Sequence, residues 1–185
     1  MKEYLIQFKP FLLFLAKFAL SYLILTSVYQ MYLNQFETAK YEVDGFTQLV
    51  AEQSKQVLTF FDANSFTRPN LLEPSVKLFY KGQWVARIIE GCNALSVIIL
   101  FISFVIAFSG KIKHTLVYIL IGSLIIHIFN VMRISLLCIA IFNYPSLQHP
   151  LHEVVFPLVI YGLVFVLWVI WVNKYSYYAS TSPKK

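Results

Sequence analysis

Four long apolar segments alternate with polar segments along the 185-residue chain. A helix needs about 20 apolar residues to cross the hydrocarbon core of a bilayer. The segments that approach this length are residues 11–29, 92–109, 115–143 and 154–171. They predict an all-α integral membrane protein with four transmembrane helices. We expect the first segment to be retained, because it is longer than the apolar region of a signal peptide and no small-x-small cleavage site follows it.

The polar segment between the first two apolar runs predicts an extracytoplasmic insertion, residues 34–91. Asp44 is a suitable N-cap for a helix whose apolar positions recur at helical spacing. Those positions are Phe46, Leu49, Val50, Val57, Leu58 and Phe61. Residues 67–74, TRPNLLEP, predict a turn-rich break. The alternation on both sides of Lys81-Gly82 predicts a β-hairpin.

These patterns divide the chain into four parts. The parts are a cytoplasmic N-terminus with the first transmembrane helix (1–33), the extracytoplasmic insertion (34–91), a three-helix catalytic membrane core (92–173) and a cytoplasmic tail (174–185), which we expect to be disordered after Tyr175.

The composition excludes a soluble domain of this size. Hydrophobic residues make up 58% of the chain and charged residues 13%, so the apolar surface exceeds what a soluble fold of this length can cover. The net charge of +6 comes from scattered Lys and Arg residues, several of which flank the apolar runs. Such basic residues orient membrane helices, so nucleic-acid binding is the least favoured class.

The distribution of basic residues predicts the orientation. One side of the predicted membrane collects Lys2, Lys9, Lys17, Lys111, Lys113, Lys174, Lys184 and Lys185 against one acid, Glu3. The other side carries the remaining acids. The positive-inside rule therefore predicts that both termini and the Lys111–Lys113 turn are cytoplasmic. Near the end of the last segment, Trp168, Trp171 and Tyr175 are typical of an interfacial aromatic belt.

Three chemically reactive side chains are predicted to lie at one depth. At about 1.5 Å of rise per residue, Cys92 lies roughly 27 Å above Gly110, Arg133 roughly 30 Å above Lys113 and His152 roughly 33 Å above Lys174. Ordinary helix tilts make these heights indistinguishable. An arginine within an apolar helix is costly and is usually functional, although it can also snorkel to an interface. We therefore expect Cys92, Arg133 and His152 to meet at the outer boundary.

This combination of side chains is typical of nucleophilic catalysis. A thiol becomes a strong nucleophile when a base takes its proton or a positive field stabilises the thiolate. His152 can be the base and later the acid that protonates the leaving amine. Arg133 can stabilise either the thiolate or a tetrahedral oxyanion. Cys92 is also predicted to begin a helix, where the macrodipole favours a thiolate.

Other polar residues are candidates for supporting roles. Glu90 can pair with Arg87 or orient His152, and Asn130 lies one turn from Arg133, where it can orient the guanidinium. Further candidates for supporting roles are Asn93 and Glu153. His149 is the rival base, and we expect it in a loop because Pro150 follows it. Cys138 is expected to be a buried apolar thiol, with a disulfide to Cys92 as the alternative.

The three motifs resemble those of the exosortase/archaeosortase transpeptidases. The matching segments are EGCNAL (90–95), NVMRI (130–134) and LHEVVFPLVIYG (151–162). Their order and spacing agree with the family. Asn93 and Ala94 stand where the family has Ser-Gly, and Glu153 stands where it has Asp. The small size, with four spans and an insertion after the first, is similar to the short exosortase F branch.

The resemblance implies a multi-pass cysteine transpeptidase or protease of the bacterial cytoplasmic membrane. Its substrate would be a membrane-anchored protein with a C-terminal sorting signal: a short motif, a membrane helix and a basic tail. Cleavage at the extracytoplasmic face would form a thioester on Cys92, from which the acyl group passes to an acceptor. No cofactor or metal is implied. The insertion can bind either the sorting signal or an accessory membrane protein.

Two other functions are compatible with the residues. A metal-dependent hydrolase could use His149, His152, Glu153 and His127 as ligands, but it leaves Cys92 and Arg133 unexplained. A non-catalytic assembly or scaffold subunit could use the polar intramembrane residues to bind partner helices. The scaffold hypothesis predicts that Cys92→Ser is nearly silent, whereas a nucleophile replaced by Ser loses almost all activity.

Overall fold

The computed structural model of the protein describes residues 8–36 and 40–176. Its helices and strands are α1 (Lys9–Leu33), α2 (Gly45–Phe61), β1 (Phe66–Pro69), β2 (Val76–Tyr80), β3 (Gln83–Ile88), α3 (Leu95–Ala107), α4 (Ile112–Asn143) and α5 (Phe156–Lys174). A 3₁₀ turn, Glu90–Cys92, joins β3 to α3. A continuous helical stretch that begins at Pro145 leads into α5 and includes a π-helix, Leu151–Val155.

Within the described residues, three helices are long and apolar enough to cross a membrane, which indicates a multi-pass membrane protein. They are α1, α4 and the stretch Pro145–Lys174. The second predicted span is the exception, because α3 has 13 residues and is only about 20 Å long. The chain enters α3 through Ala94, which has a left-handed φ of 65°, and the Asn93 side chain accepts a hydrogen bond from the N–H of Leu95 at 2.8 Å. The helix therefore begins at Leu95, not at Cys92 as predicted.

The insertion begins with the predicted capped helix. The side chain of Asp44 accepts a hydrogen bond from the N–H of Thr47 at 2.9 Å, which confirms the N-cap. The buried positions of α2 are Thr47, Val50, Ala51, Ser54 and Leu58. Leu49 and Phe61, which were predicted to face the core, are 46% and 58% exposed. The buried stripe thus includes two small polar residues: Thr47 accepts a hydrogen bond from Asn93, and the carbonyl of Ser54 accepts one from Ser135 of α4.

The rest of the insertion is a three-stranded antiparallel sheet in the order β1-β2-β3. The predicted hairpin is confirmed: Lys81 and Gly82 have φ values of 52° and 75°, as the two central residues of a tight hairpin require. The prediction of a turn over residues 67–74 is wrong at its start, because Thr67 to Pro69 belong to β1. Phe66 stacks on Phe79 across the pair at 4.5 Å, and this long-range contact outweighs the local turn signals.

Two hydrophobic cores share one helix. The first, here the insertion core, contains Val50, Leu58, Leu78 and Ile88 of the insertion and buried residues of the outer half of α4. The second, the membrane core, lies between α3, α4 and α5. With 32 residues, α4 is about 48 Å long and exceeds the hydrocarbon thickness of about 30 Å. The C-terminal half, here called the outer half because it is the half in contact with the insertion, packs against protein, and Arg133 lies in this half.

The end of the bundle opposite the insertion is closed by aromatic packing. Trp171 is fully buried in the membrane core, so its prediction as part of an interfacial belt is wrong. Its ring and the backbone of Tyr175 lie 3.0 Å from where a Cβ on Gly110 would be, so a larger residue at this position would have to push its neighbours away. Ser176 is buried and forms a β-bridge with Gly110, so the chain is ordered one residue beyond Tyr175. The remainder of the predicted tail lies outside the described residues, as do Lys2 and Glu3.

Candidate active site

Cys92 lies where the insertion joins the membrane helices. It ends the 3₁₀ turn that follows β3, and its N–H donates to the carbonyl of Ile89 at 2.9 Å. The residue is partly buried and its thiol is free. Because α3 begins three residues later, Cys92 does not occupy the helix N-terminus, and the predicted macrodipole effect on the thiolate loses its geometric basis.

Cys92, Arg133 and His152 line one cavity of about 290 Å³, here called the cysteine cavity. They come from three different elements: the turn after β3, the outer half of α4 and the π-helix before α5. The structure thus brings together the three residues that were predicted to meet. Of the charged residues that line this cavity, Arg133 and Arg87 are both basic, and no Asp or Glu is among its lining residues.

Arg133 has an unsatisfied donor. Its side chain is partly buried, and its Nε atom is buried without a hydrogen-bond partner among the described residues. A buried guanidinium donor without a partner is costly and is retained mainly where a ligand or substrate satisfies it. The acidic groups close enough to interact with its charge are the Cys92 thiol and the Tyr161 hydroxyl. Tyr161 was not predicted as a site residue, since one of many aromatic residues in an apolar helix carries no signal.

Asn130 holds the backbone of Cys92. The side-chain amide of Asn130 is buried and donates to the carbonyl oxygen of Cys92 at 2.8 Å. This bond fixes the turn that carries the thiol against α4. The residue was predicted to orient the guanidinium of Arg133, but its donated bond goes to Cys92.

Glu90 and Asn93 belong to a polar network on the other side of the turn. The Tyr29 hydroxyl donates to the Glu90 carboxylate, and the Asn93 amide donates to Tyr29 Oη at 3.2 Å and to Thr47 Oγ1 at 3.0 Å. Both predicted partners of Glu90 are therefore wrong: it contacts neither Arg87 nor His152. Tyr29 and Thr47 were missed, because their contacts join residues that are far apart in sequence.

His149 and Glu153 form a separate pair. His149 Nε2 lies 3.2 Å from Glu153 Oε2, and both side chains are exposed. His149 belongs to a helical turn, Gln148–Pro150, so its prediction as a loop residue is wrong. The pair lines a different cavity from that of Cys92. Among the two histidines, only His152 lines both cavities.

The remaining candidates have structural roles. His127 Nε2 lies 2.7 Å from Gln53 Oε1, and this contact joins α4 to α2. Cys138 is fully buried in the insertion core, as predicted, and its thiol is free, so the alternative disulfide is not formed. In the described part of the chain, no three His, Cys, Asp or Glu residues are grouped to hold a metal ion.

A larger cavity, of about 670 Å³, lies in the insertion between α2 and β1, and it contains no Cys or His. The smaller cysteine cavity, in contrast, is lined by Cys92 and His152. Comparisons with protein-family models, with curated proteins and with solved structures found no match for the chain.

Proposed function

We propose that the protein is a membrane cysteine transpeptidase or protease of the exosortase/archaeosortase type. The observation that carries the proposal is the convergence of Cys92, Arg133 and His152 on one cavity from three separate elements. The free thiol and the unpartnered Nε of Arg133 add to it. A scaffold subunit would not require a nucleophile, a cation and a base at one place.

The proposed reaction begins when His152 takes the proton of the Cys92 thiol. The sulfur attacks the scissile carbonyl of the substrate, and a tetrahedral oxyanion forms. His152 then gives its proton to the departing amine as the C–N bond breaks, which leaves a thioester on Cys92. An acceptor nucleophile attacks the thioester, and the thiol is regenerated. Water as the acceptor makes the enzyme a protease, and an amine or hydroxyl makes it a transpeptidase or acyl transferase.

Arg133 supplies the positive charge for this reaction. Its buried Nε–H can donate a hydrogen bond to either the thiolate or the oxyanion. In a partly buried site, the positive charge stabilises an anion far more strongly than it does in water. Asn130 supports the geometry because it holds the carbonyl of Cys92. Glu153 is engaged with His149, so His152 acts without a carboxylate partner from its own helix.

The proposed setting is the bacterial cytoplasmic membrane, with both termini inside and the cysteine cavity at the extracytoplasmic face. In this arrangement α3 is the second of four spans, and the turn of Glu90–Cys92 completes its crossing. The substrate is a membrane-anchored protein with a C-terminal sorting signal whose own helix lies beside the bundle. An accessory membrane protein is a further partner of the insertion.

The test is the rate at which Cys92 is alkylated by a small, membrane-impermeant thiol reagent in intact cells. In a Cys138→Ala background, we expect Arg133→Gln and His152→Ala each to lower the rate near pH 7 by about tenfold or more, because the thiolate loses its charge partner or its base. His149→Ala is the matched control and should leave the rate within about twofold.

The alkylation rates also distinguish the proposed enzyme from a scaffold subunit. Equal alkylation rates in all four proteins would show a thiol without activation and would overturn the proposed mechanism. The scaffold function would then gain support if Cys92→Ser also left the cellular role of the protein intact.

A further inference from the structure

One edge of the sheet faces the cysteine cavity. Five consecutive residues, Val85 to Ile89, line this cavity. Successive side chains of a strand point to opposite faces of a sheet, so a cavity over one face contacts every second residue. Contact with five consecutive residues means that the cavity lies along the backbone edge of β3.

This edge has no partner strand in the described part of the chain. β3 pairs with β2 on one side, and the sheet order β1-β2-β3 leaves its other side open. In an antiparallel pair, alternate residues direct their N–H and C=O groups away from the partner strand. An open edge of this kind is a template for the main chain of another segment.

The two edges of the sheet differ. The outer strand β1 has only four residues and ends in Pro69, which cannot donate to a ladder and blunts the edge. β3 has six residues without a proline, and it leads through Ile89 directly into the turn that carries Cys92. Some of its outer groups are already used locally, because Trp84 Nε1 donates to the Ala86 carbonyl at 2.9 Å.

We propose that β3 binds the substrate as an added strand, so that an extended peptide segment lies along Val85 to Ile89 with its scissile bond near Cys92. The inference rests on the proposed function. Main-chain hydrogen bonds to β3 supply the affinity and fix the register, as in other cases of strand addition. The five residues of the edge span about 13 Å, so the paired segment is short.

α4 packs against the core face of the sheet and forms the wall of the cavity on that side. Ile134, Leu137 and Ile141 of α4 line this wall and are apolar. Side chains of an added strand alternate between two faces, so every second substrate residue meets this wall. The structure therefore assigns apolar residues to alternate positions of the bound segment.

The test uses irreversible peptide probes and the full-length protein in detergent. The probe is an acetylated tri-valine acyloxymethyl ketone, which labels Cys92 covalently, compared with probes that are N-methylated at one amide each. N-methylation removes one main-chain donor and leaves the side chains unchanged. We expect methylation at alternate amides to slow labelling by about fivefold or more, whereas iodoacetamide labels Cys92 at one rate in every experiment.

Proline variants test the same edge from the protein side. Of two neighbouring residues, Ala86 and Arg87, one N–H faces β2 and the other faces the cavity. We expect one of Ala86→Pro and Arg87→Pro to keep the protease resistance of the hairpin and to lose labelling by the peptide probe. Labelling of the same variants by iodoacetamide, which makes no main-chain pairing with β3, is the control and should stay within about twofold of the wild type.

The outcomes separate this inference from the proposed function. If iodoacetamide labelling does not depend on Arg133, the proposed function fails regardless of the edge. If iodoacetamide shows an activated thiol but the peptide probe is indifferent to N-methylation at every amide, the strand-addition proposal is overturned and the proposed function stands. If both proline variants unfold, labelling of the wild-type protein by the N-methylated probes still tests strand addition.

Discussion

Around Cys92, individual hydrogen bonds hold the turn that carries the thiol between two helices. Asn130 fixes its carbonyl from α4, while the network of Tyr29, Glu90 and Asn93 ties the same turn to α1. These residues are buried or partly buried, so each bond replaces one with water and each orphaned partner costs about 1–3 kcal/mol. Cys92 is therefore positioned by neighbours that do not themselves enter the proposed reaction.

A second residue-scale feature is the exposed ion pair of the insertion, which predicts a pH dependence. Arg87 Nη1 donates to both carboxylate oxygens of Glu73 at 2.7 and 2.6 Å. This hydrogen bond from Arg87, with smaller contributions from Ser75 and Asn70, lowers the pKa of Glu73 below its ordinary value of 4.5. Because the folded-state pKa is depressed, the pair stabilises the fold above pH 4.5 and loses this contribution as pH falls through the lower value.

We expect Glu73→Gln to lose less stability than the wild type when the pH is lowered from about 5 to about 3. The measurement is the Tm of the purified protein across this range. Arg87→Gln should remove the same pH-dependent component, and the double variant should remove no more than either single variant. Parallel Tm curves for wild type and Glu73→Gln would contradict the prediction.

At the scale of elements, the shortness of α3 is compensated by close packing. Ser21 of α1 donates to the Ser103 carbonyl at 3.4 Å, and Lys17 donates to Ser109 at 2.9 Å, so α1 follows α3 along its length. On the other side, the ring of Phe101 lies over Gly122 of α4. A Cβ at Gly122 would be 2.3 Å from the Phe101 ring, a distance that no real contact has.

We predict that Gly122→Ala destabilises the protein by about 1–3 kcal/mol, because the added methyl group forces Phe101 or α4 to move. Gly162→Ala is the matched control: it lies in α5 with open space around it, and it should be neutral or stabilising by up to about 1 kcal/mol. Thermal unfolding of the purified proteins gives both values.

A rescue experiment identifies the cause. Phe101→Leu should restore part of the stability in the Gly122→Ala background, although it costs stability alone. If both glycine variants behave alike, the close approach of α3 and α4 is not what constrains Gly122.

For the whole molecule, the insertion is built onto the bundle rather than tethered beside it. The insertion core includes Val131, Ile134 and Cys138 of α4, and the His127–Gln53 contact extends the interface further along the same helix. A charged Arg133 is tolerated because this half of α4 packs against protein and a cavity, so the cost of a charge in lipid does not apply. The cysteine cavity exists only where these two parts meet.

This architecture predicts opposite accessibility for the two ends of α3. In a background without native cysteines, Gly91→Cys should react with an impermeant thiol reagent in intact cells, and Lys111→Cys should react only after permeabilisation. Both positions are exposed in the structure, so a lack of reaction reports the membrane side. The reverse pattern would show that the positive-inside assignment has the wrong sign.

Much of the fold was predictable where local chemistry acts alone. Apolar length identified α1, α4 and the last helix, Asp44 identified the start of α2, and Lys81-Gly82 identified the hairpin. The prediction was wrong for the start of α3 and for β1, because Ala94 adopts a left-handed conformation and Phe66 pairs with Phe79 through tertiary contacts. In the site, helical rise placed Cys92, Arg133 and His152 at one level, but it carries no information on which side chains face each other.

By itself, the sequence determined the membrane class, three of the four predicted spans and the expectation that Cys92, Arg133 and His152 lie close together, because these follow from hydropathy and from a fixed rise per residue. Only the tertiary structure decided which side chains form hydrogen bonds with each other. Tyr29 and Glu90 are 61 residues apart, and Asn130 and Cys92 are 38 apart. The open edge of β3 along the cavity is likewise a property of the assembled sheet. Such contacts depend on how the helices and the sheet pack against each other, and local sequence patterns do not specify this packing.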